Sequence, residues 1–96
     1  MKSRFLLLAE IEMLNAARFY EGQAQRLGVD FLARVQSAVE DVESNPIRWP
    51  LYRPNIRRRF VSRFPYAVLY RVEPKNVVVV AVMHLHRNPN YWIGRI

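Results

Sequence analysis

Two histidines, His84 and His86, stand two positions apart at the end of an apolar stretch, and Arg87, Tyr91 and Trp92 follow closely. Upstream lie Arg57, Arg58, Arg59, Arg63 and Arg71. Imidazole exchanges protons near neutral pH, and guanidinium grips phosphate or carboxylate through paired N–H groups. Together with a phenol they suffice for moving protons beside a held anion. A metal centre is not expected: with 0 Cys, His84 and His86 share strand parity but have no third ligand nearby. No cofactor is implied.

The arginines belong to a skewed charge distribution. The chain has 96 residues and a net charge of +7, from 15 Lys plus Arg against 8 Asp plus Glu. Of the basic residues, 13 are Arg. Residues 1–45 carry 5 basic and 7 acidic side chains, and residues 46–96 carry 10 basic and 1 acidic. The second half is a concentrated cation suited to polyanions, whether nucleic acid, an anionic membrane or an acidic protein segment. At 51% hydrophobic and 24% charged, the composition is that of a globular chain rather than a disordered one. One domain over residues 1–96 is expected. No run approaches a membrane span, and a cytoplasmic location without membrane attachment is expected.

The elements that must position these groups follow from periodicity. Residues 2–8 read as a first strand. From Ala9, the positions Ala9, Met13, Ala16, Ala17, Tyr20 and Ala24 form one helical stripe, with Glu10, Glu12 and Glu21 off it. Gly28 reads as punctuation before a second helix, whose apolar face is Phe31, Leu32, Val35, Ala38, Val39 and Val42. Asn45-Pro46 ends it, because the residue before proline leaves helical geometry and Asn tolerates a left-handed cap. The two helices should pack as an antiparallel hairpin.

Beyond an extended, proline-containing connection the period becomes 2. Ile56 to Phe64 alternates, with Ile56, Phe60 and Phe64 on one face and Arg57, Arg59, Val61 and Arg63 on the other. Residues 67–73 and 77–85 form a hairpin around Pro74-Lys75-Asn76, and the run Val77 to Met83 predicts a central strand covered on both faces. A bulge there would move His84 or His86 to the other face. The tail from Arg87 should run irregularly over the surface. The fold class is α+β: elements in the order β-α-α-β-β-β, with a small antiparallel sheet and a helical hairpin packed on one face.

Phe64-Pro65-Tyr66-Ala67-Val68-Leu69-Tyr70-Arg71-Val72, then Val80-Ala81-Val82-Met83-His84-Leu85-His86-Arg87-Asn88-Pro89 and Tyr91-Trp92, resemble the RelE/ParE superfamily of type II toxins. Phe19-Tyr20-Glu21, Leu27-Gly28, Asn45-Pro46 and Trp49-Pro50 agree with it, so the likeness covers nearly the whole chain. The resemblance implies the fold deduced above and a growth-inhibiting toxin neutralised by a cognate antitoxin. Within the family the RelE-like branch cleaves messenger RNA on the ribosome, and the ParE-like branch acts on DNA gyrase without an established catalytic residue. Ala67 stands about where RelE-like ribonucleases usually carry an arginine, and the His84 and Arg87 spacing looks more like the ParE-like branch. A non-catalytic action on gyrase is therefore favoured, with a RelE-like endoribonuclease and a non-toxic nucleic-acid-binding remnant as alternatives.

Were the chain a ribonuclease, Arg63, His84, His86, Arg87 and Tyr91 would carry the chemistry. Contacts with the target or with nucleic acid are assigned to Arg57, Arg59, Arg63, Arg71, Arg87, Tyr91 and Trp92. Arg57, Arg59 and Arg63 are expected along one strand face, and Tyr91 and Trp92 in an exposed tail. The partners implied are the antitoxin, gyrase or the ribosome with its message, and a second copy in a homodimer or hetero-oligomer.

Overall fold

A computed structural model describes all 96 residues. Strand β1 (Lys2–Phe5) leads into helices α1 (Leu7–Gln23) and α2 (Leu27–Ser44), followed by β2 (Leu51–Arg53), β3 (Ile56–Phe60), β4 (Tyr66–Val72) and β5 (Asn76–His84). A 3-10 turn over Ile93–Arg95 ends the chain. The helical hairpin packs on one face of a five-stranded sheet ordered β1-β5-β4-β3-β2. This is the expected α+β arrangement, with one short strand, β2, where an extended connection was read. Neighbouring strands from β2 to β5 are antiparallel, but β1 runs parallel to β5, pairing Lys2 with Asn76 and Phe5 with Val79. Parallel pairing needs a long crossover, and here everything from α1 to β4 supplies it.

The helical stripe holds at Ala9, Ala16 and Ala17, which are buried, and at Met13 and Tyr20, which pack against the same core. Two boundaries differ from the sequence reading. The helix begins at Leu7, leaving Leu7 70% and Leu8 51% exposed, so the leucine run extends a helix rather than a strand. Ala24 lies outside it as an extended C-cap. Gly28 is not punctuation; the link between the helices is Ala24–Arg26, with Arg26 left-handed at φ 70°, and Gly28 is buried in the first turn of α2. A Cβ there would stand 2.3 Å from the Ala17 carbonyl oxygen, so glycine is what lets the two helices touch. Glu21 of α1 supplies the cap that α2 lacks: its carboxylate accepts the N–H groups of Arg26 at 2.8 Å and Gly28 at 2.9 Å. At the far end Asn45 caps α2 at φ −152°, so proline forces extended rather than left-handed backbone.

β5 is central and buried on both faces, as its valine run requires. Its inner face joins Val77, Val79 and Val82 to Val61, Val68, Tyr70 and the helices. Its outer face joins Val78, Val80, Ala81 and Met83 to Ile56, Ala67, Leu69 and Trp92. The change of parity between Val79 and Val82 comes from a bulge: Leu69 pairs with Ala81 and Tyr70 with Val79, leaving Val80 without an opposite residue.

Candidate functional site

The bulge decides where His84 goes. It turns Val82 and His84 toward the helices, and His84 lies opposite Tyr66 across the β4–β5 pair, the two rings 5.0 Å apart. The resulting open cavity of about 290 Å³ is lined by Glu12, Asn15, Ala16, Phe19, Tyr66, Val82, His84 and Arg87. His86 lies past the strand end, its ring 5.3 Å from that of His84, and its N–H donates to His84 Nδ1 at 3.1 Å. A neutral His84 that accepts at Nδ1 carries its proton on Nε2. Burial pushes the Tyr66 phenol above its ordinary value.

Beside this cavity stands Glu12, which the sequence reading left on the solvent side of the helix. Its side chain is only 12% exposed. One carboxylate oxygen accepts the Val82 N–H at 3.1 Å and Arg95 Nη1 at 2.8 Å, and the other accepts Arg87 Nη1 at 3.3 Å and Arg95 Nη2 at 3.1 Å. Both guanidiniums lie over the Tyr91 ring, Arg87 3.6 Å and Arg95 5.0 Å from its centre. The Tyr91 hydroxyl is buried near Glu12 without reaching hydrogen-bond geometry. Burial, and then the carboxylate, push its pKa well above the ordinary tyrosine value. Hydrogen bonding to Glu12 raises the Arg95 pKa, which keeps that guanidinium charged.

Trp92 corrects the expectation of an exposed tail. It is 0% exposed, fills the outer core and donates its indole N–H to the Pro89 carbonyl at 2.7 Å. A bulky apolar ring finds more to bury against the uncovered sheet face than in solvent, so Trp92 is a core residue and cannot serve as a surface contact.

The arginines are also dispersed. Arg57 and Arg59 do share the inner side of β3, but Arg57 donates to the carbonyls of Ile47 and Trp49, and Arg59 pairs with Asp41 at 2.7 Å and also meets the Phe60 carbonyl. Strand β3 stops at Phe60, so Arg63 falls in a turn at φ 70° and lines a separate cavity with Leu27, Asp30, Arg34 and Phe64. Phe64 accordingly packs into the inner core rather than on the face of Ile56, and Phe60 is left 49% exposed. Arg71 pairs with Glu73 at 2.7 Å on the outer side. The second half of the chain is thus partly neutralised in place. No three His, Cys, Asp or Glu side chains gather to form a metal-binding group.

A family model described as the ParE toxin of type II toxin-antitoxin systems matches residues 4–89. The chain belongs to the ParE toxin family. Among solved structures, a chain described as the chromosomal ParDE toxin-antitoxin system of P. aeruginosa is similar at 18% identity, with a TM-score of 0.65 over 90% of this chain and 97% of that one. At that identity the likeness speaks for the fold. No curated protein matches.

The ParE match runs from the second half of β1 through β5 and covers the His84 cavity, Glu12 and Arg87, stopping short of Tyr91 and Arg95. Glu12, Asn15 and Phe19 line that cavity but are not among the site residues expected from the sequence, because a helix that is apolar on several sides hides which turn faces the sheet edge. One signal was available. Arg87 and Arg95 have only Glu73 as an acid in their own half of the chain, so a carboxylate partner for them had to come from one of the two helices.

Proposed function

We propose that this ParE-family toxin inhibits growth by binding DNA gyrase without chemistry of its own, and that a cognate antitoxin holds it in check. The observation that carries the reading is the separation of the would-be catalytic set. Arg63 lines one cavity, while His84 and Arg87 line another. Arg87 is tied to Glu12, and Tyr91, with its raised pKa and buried hydroxyl, is poorly suited to relay protons near neutral pH. An RNA-cleaving site needs a base, an acid and a phosphate-holding cation within reach of one bond. A binding toxin needs only a stable, charged surface. Target and antitoxin both place its action in the cytoplasm, and no helix is long and apolar enough to cross a membrane.

The test combines purified gyrase with cells. Supercoiling should fall when the purified protein is added, and induction without antitoxin should stop DNA synthesis before protein synthesis, with messages intact. In-frame transcript cuts that vanish in the His86→Ala, Arg87→Ala double variant would replace this reading with the ribonuclease one.

A further inference from the structure

On the outer side of the sheet, β2 and β3 carry a continuous stack that none of the assigned residues occupies. Arg58 is sandwiched between two rings, its guanidinium carbon 4.2 Å from the centre of Tyr52 and 4.6 Å from that of Phe60. Arg53 covers Tyr52 as well, at 4.4 Å. The order along the surface is therefore Arg53, Tyr52, Arg58, Phe60, alternating cation and ring. Tyr52 is rooted in the outer core, while Phe60 at the end of the stack is 49% exposed.

The charges in this stack lack the acidic partner that several other arginines have, and in this they resemble Arg57, which meets only the Ile47 and Trp49 carbonyls. Arg59, Arg71, Arg87 and Arg95 each face a carboxylate within 4.0 Å. Arg53 has only the Tyr52 carbonyl and the Asn90 amide as partners, both neutral, and Arg58 contacts only aromatic rings. Two positive charges are left uncompensated, side by side. A guanidinium over a ring can still offer N–H groups at its rim to a phosphate. An exposed aromatic face next to that rim suits an unpaired base, since every base has a planar face and stacks with little regard to sequence.

We propose that the Arg53–Tyr52–Arg58–Phe60 stack is a binding site for single-stranded nucleic acid. A base stacks on the open side of Phe60, and the phosphates that lead away from it along the surface are held first by Arg58 and then by Arg53. A duplex conceals its base faces and would use the charges alone; an acidic peptide would likewise leave the rings unused. The site requires neither gyrase nor antitoxin, so it stands or falls independently of the gyrase reading.

The experiment measures fluorescence anisotropy of a labelled oligothymidylate of about twelve nucleotides against the purified full-length chain, across a salt series. A polyglutamate peptide of equal charge and a duplex of the same length serve as comparisons. The single strand should bind most tightly. Phe60→Ala should weaken it about tenfold while leaving the salt slope and polyglutamate binding unchanged. Arg58→Ala should lower the slope of log affinity against log salt by about 0.7. Arg58→Lys, which keeps the charge and removes the flat stack, should keep the slope and still lose affinity. None of these side chains is in the buried core, and thermal melts confirm folding. Equal or tighter binding of polyglutamate would identify an acidic protein segment as the occupant and overturn the proposal. So would single-strand affinity that is indifferent to both Phe60→Ala and Arg58→Lys.

Discussion

The inner face of the sheet meets two helices of 17 and 18 residues and shares with them a cluster of 14 buried side chains. The outer face of the same sheet is closed over a cluster of 8 by little more than Leu6, Tyr52, Tyr91 and Trp92. On the inner side Tyr20, Phe31, Phe64 and Tyr66 form a network of ring contacts at 4.9 to 6.2 Å, so each ring has several neighbours. On the outer side one indole supplies most of the cover, and the segment carrying it is fastened by a carboxylate from a helix on the other face. The two surfaces are equally dry but unequally redundant. Removing one inner contact leaves others in place, whereas removing one outer contact opens the sheet to water.

The sharpest way to break this contrast is Trp92→Ala, which should destabilise the chain by about 4 kcal/mol, against about 2 kcal/mol for Val35→Ala in the inner cluster. Paired chemical denaturation curves check it, and equal losses would contradict the asymmetry. Glu12→Ala comes next. It leaves the Val82 N–H without its acceptor and the Arg95 side chain, 13% exposed, with only the Val80 carbonyl at 3.1 Å. A loss of about 3 kcal/mol is expected, together with protease cleavage near Arg87 and Arg95 that the wild type resists. Gly28→Ala probes the inner side where it is least forgiving, pushing a methyl into the Ala17 carbonyl at a cost of about 2 kcal/mol. Circular dichroism melts should show the drop without any change at the outer face.

The smallest effects are pH-dependent and again separate the regions. The folded-state pKa of Tyr91 lies above its ordinary value of 10.0. Its contribution is therefore complete below pH 10 and is lost as pH rises toward the folded value. Tyr91→Phe should flatten the alkaline limb of a stability profile. Glu21 behaves oppositely. Hydrogen bonds from the Arg26 and Gly28 backbone lower its pKa from 4.5, so its contribution is present above that value and fades as pH falls through the folded one. Glu21→Gln should shrink the acid limb of that profile.

The inner side was legible in the sequence because it is built from repeats of position: the α2 stripe from Phe31 to Val42 announces its face by spacing alone, and the unbroken valines of β5 announce a strand covered on both sides. The outer side was not. Trp92 sits in a polar stretch with no period, and only the uncovered half of the sheet says that something must cover it. The Glu12 cluster joins residues more than eighty positions apart, which no local pattern reports. The end of β3 at Phe60 was hidden because alternation continues through Ser62 and Arg63 while the backbone turns at φ 70°. That turn separated Arg63 from Arg57 and Arg59. The bulge at Val80 was anticipated as a hazard, but its position could not be read from a run of identical side chains.

The parallel pairing of β1 with β5 also sets an order of events during synthesis. The contacts between α1 and α2 close over a few residues and can form while the chain is still emerging. β1 emerges before both helices but must wait, since the partner of Phe5 is Val79. Until that strand has been made, β1 has no neighbour to pair with. The sheet, and with it every surface that spans β3 to β5, is therefore completed only once β5 has been made.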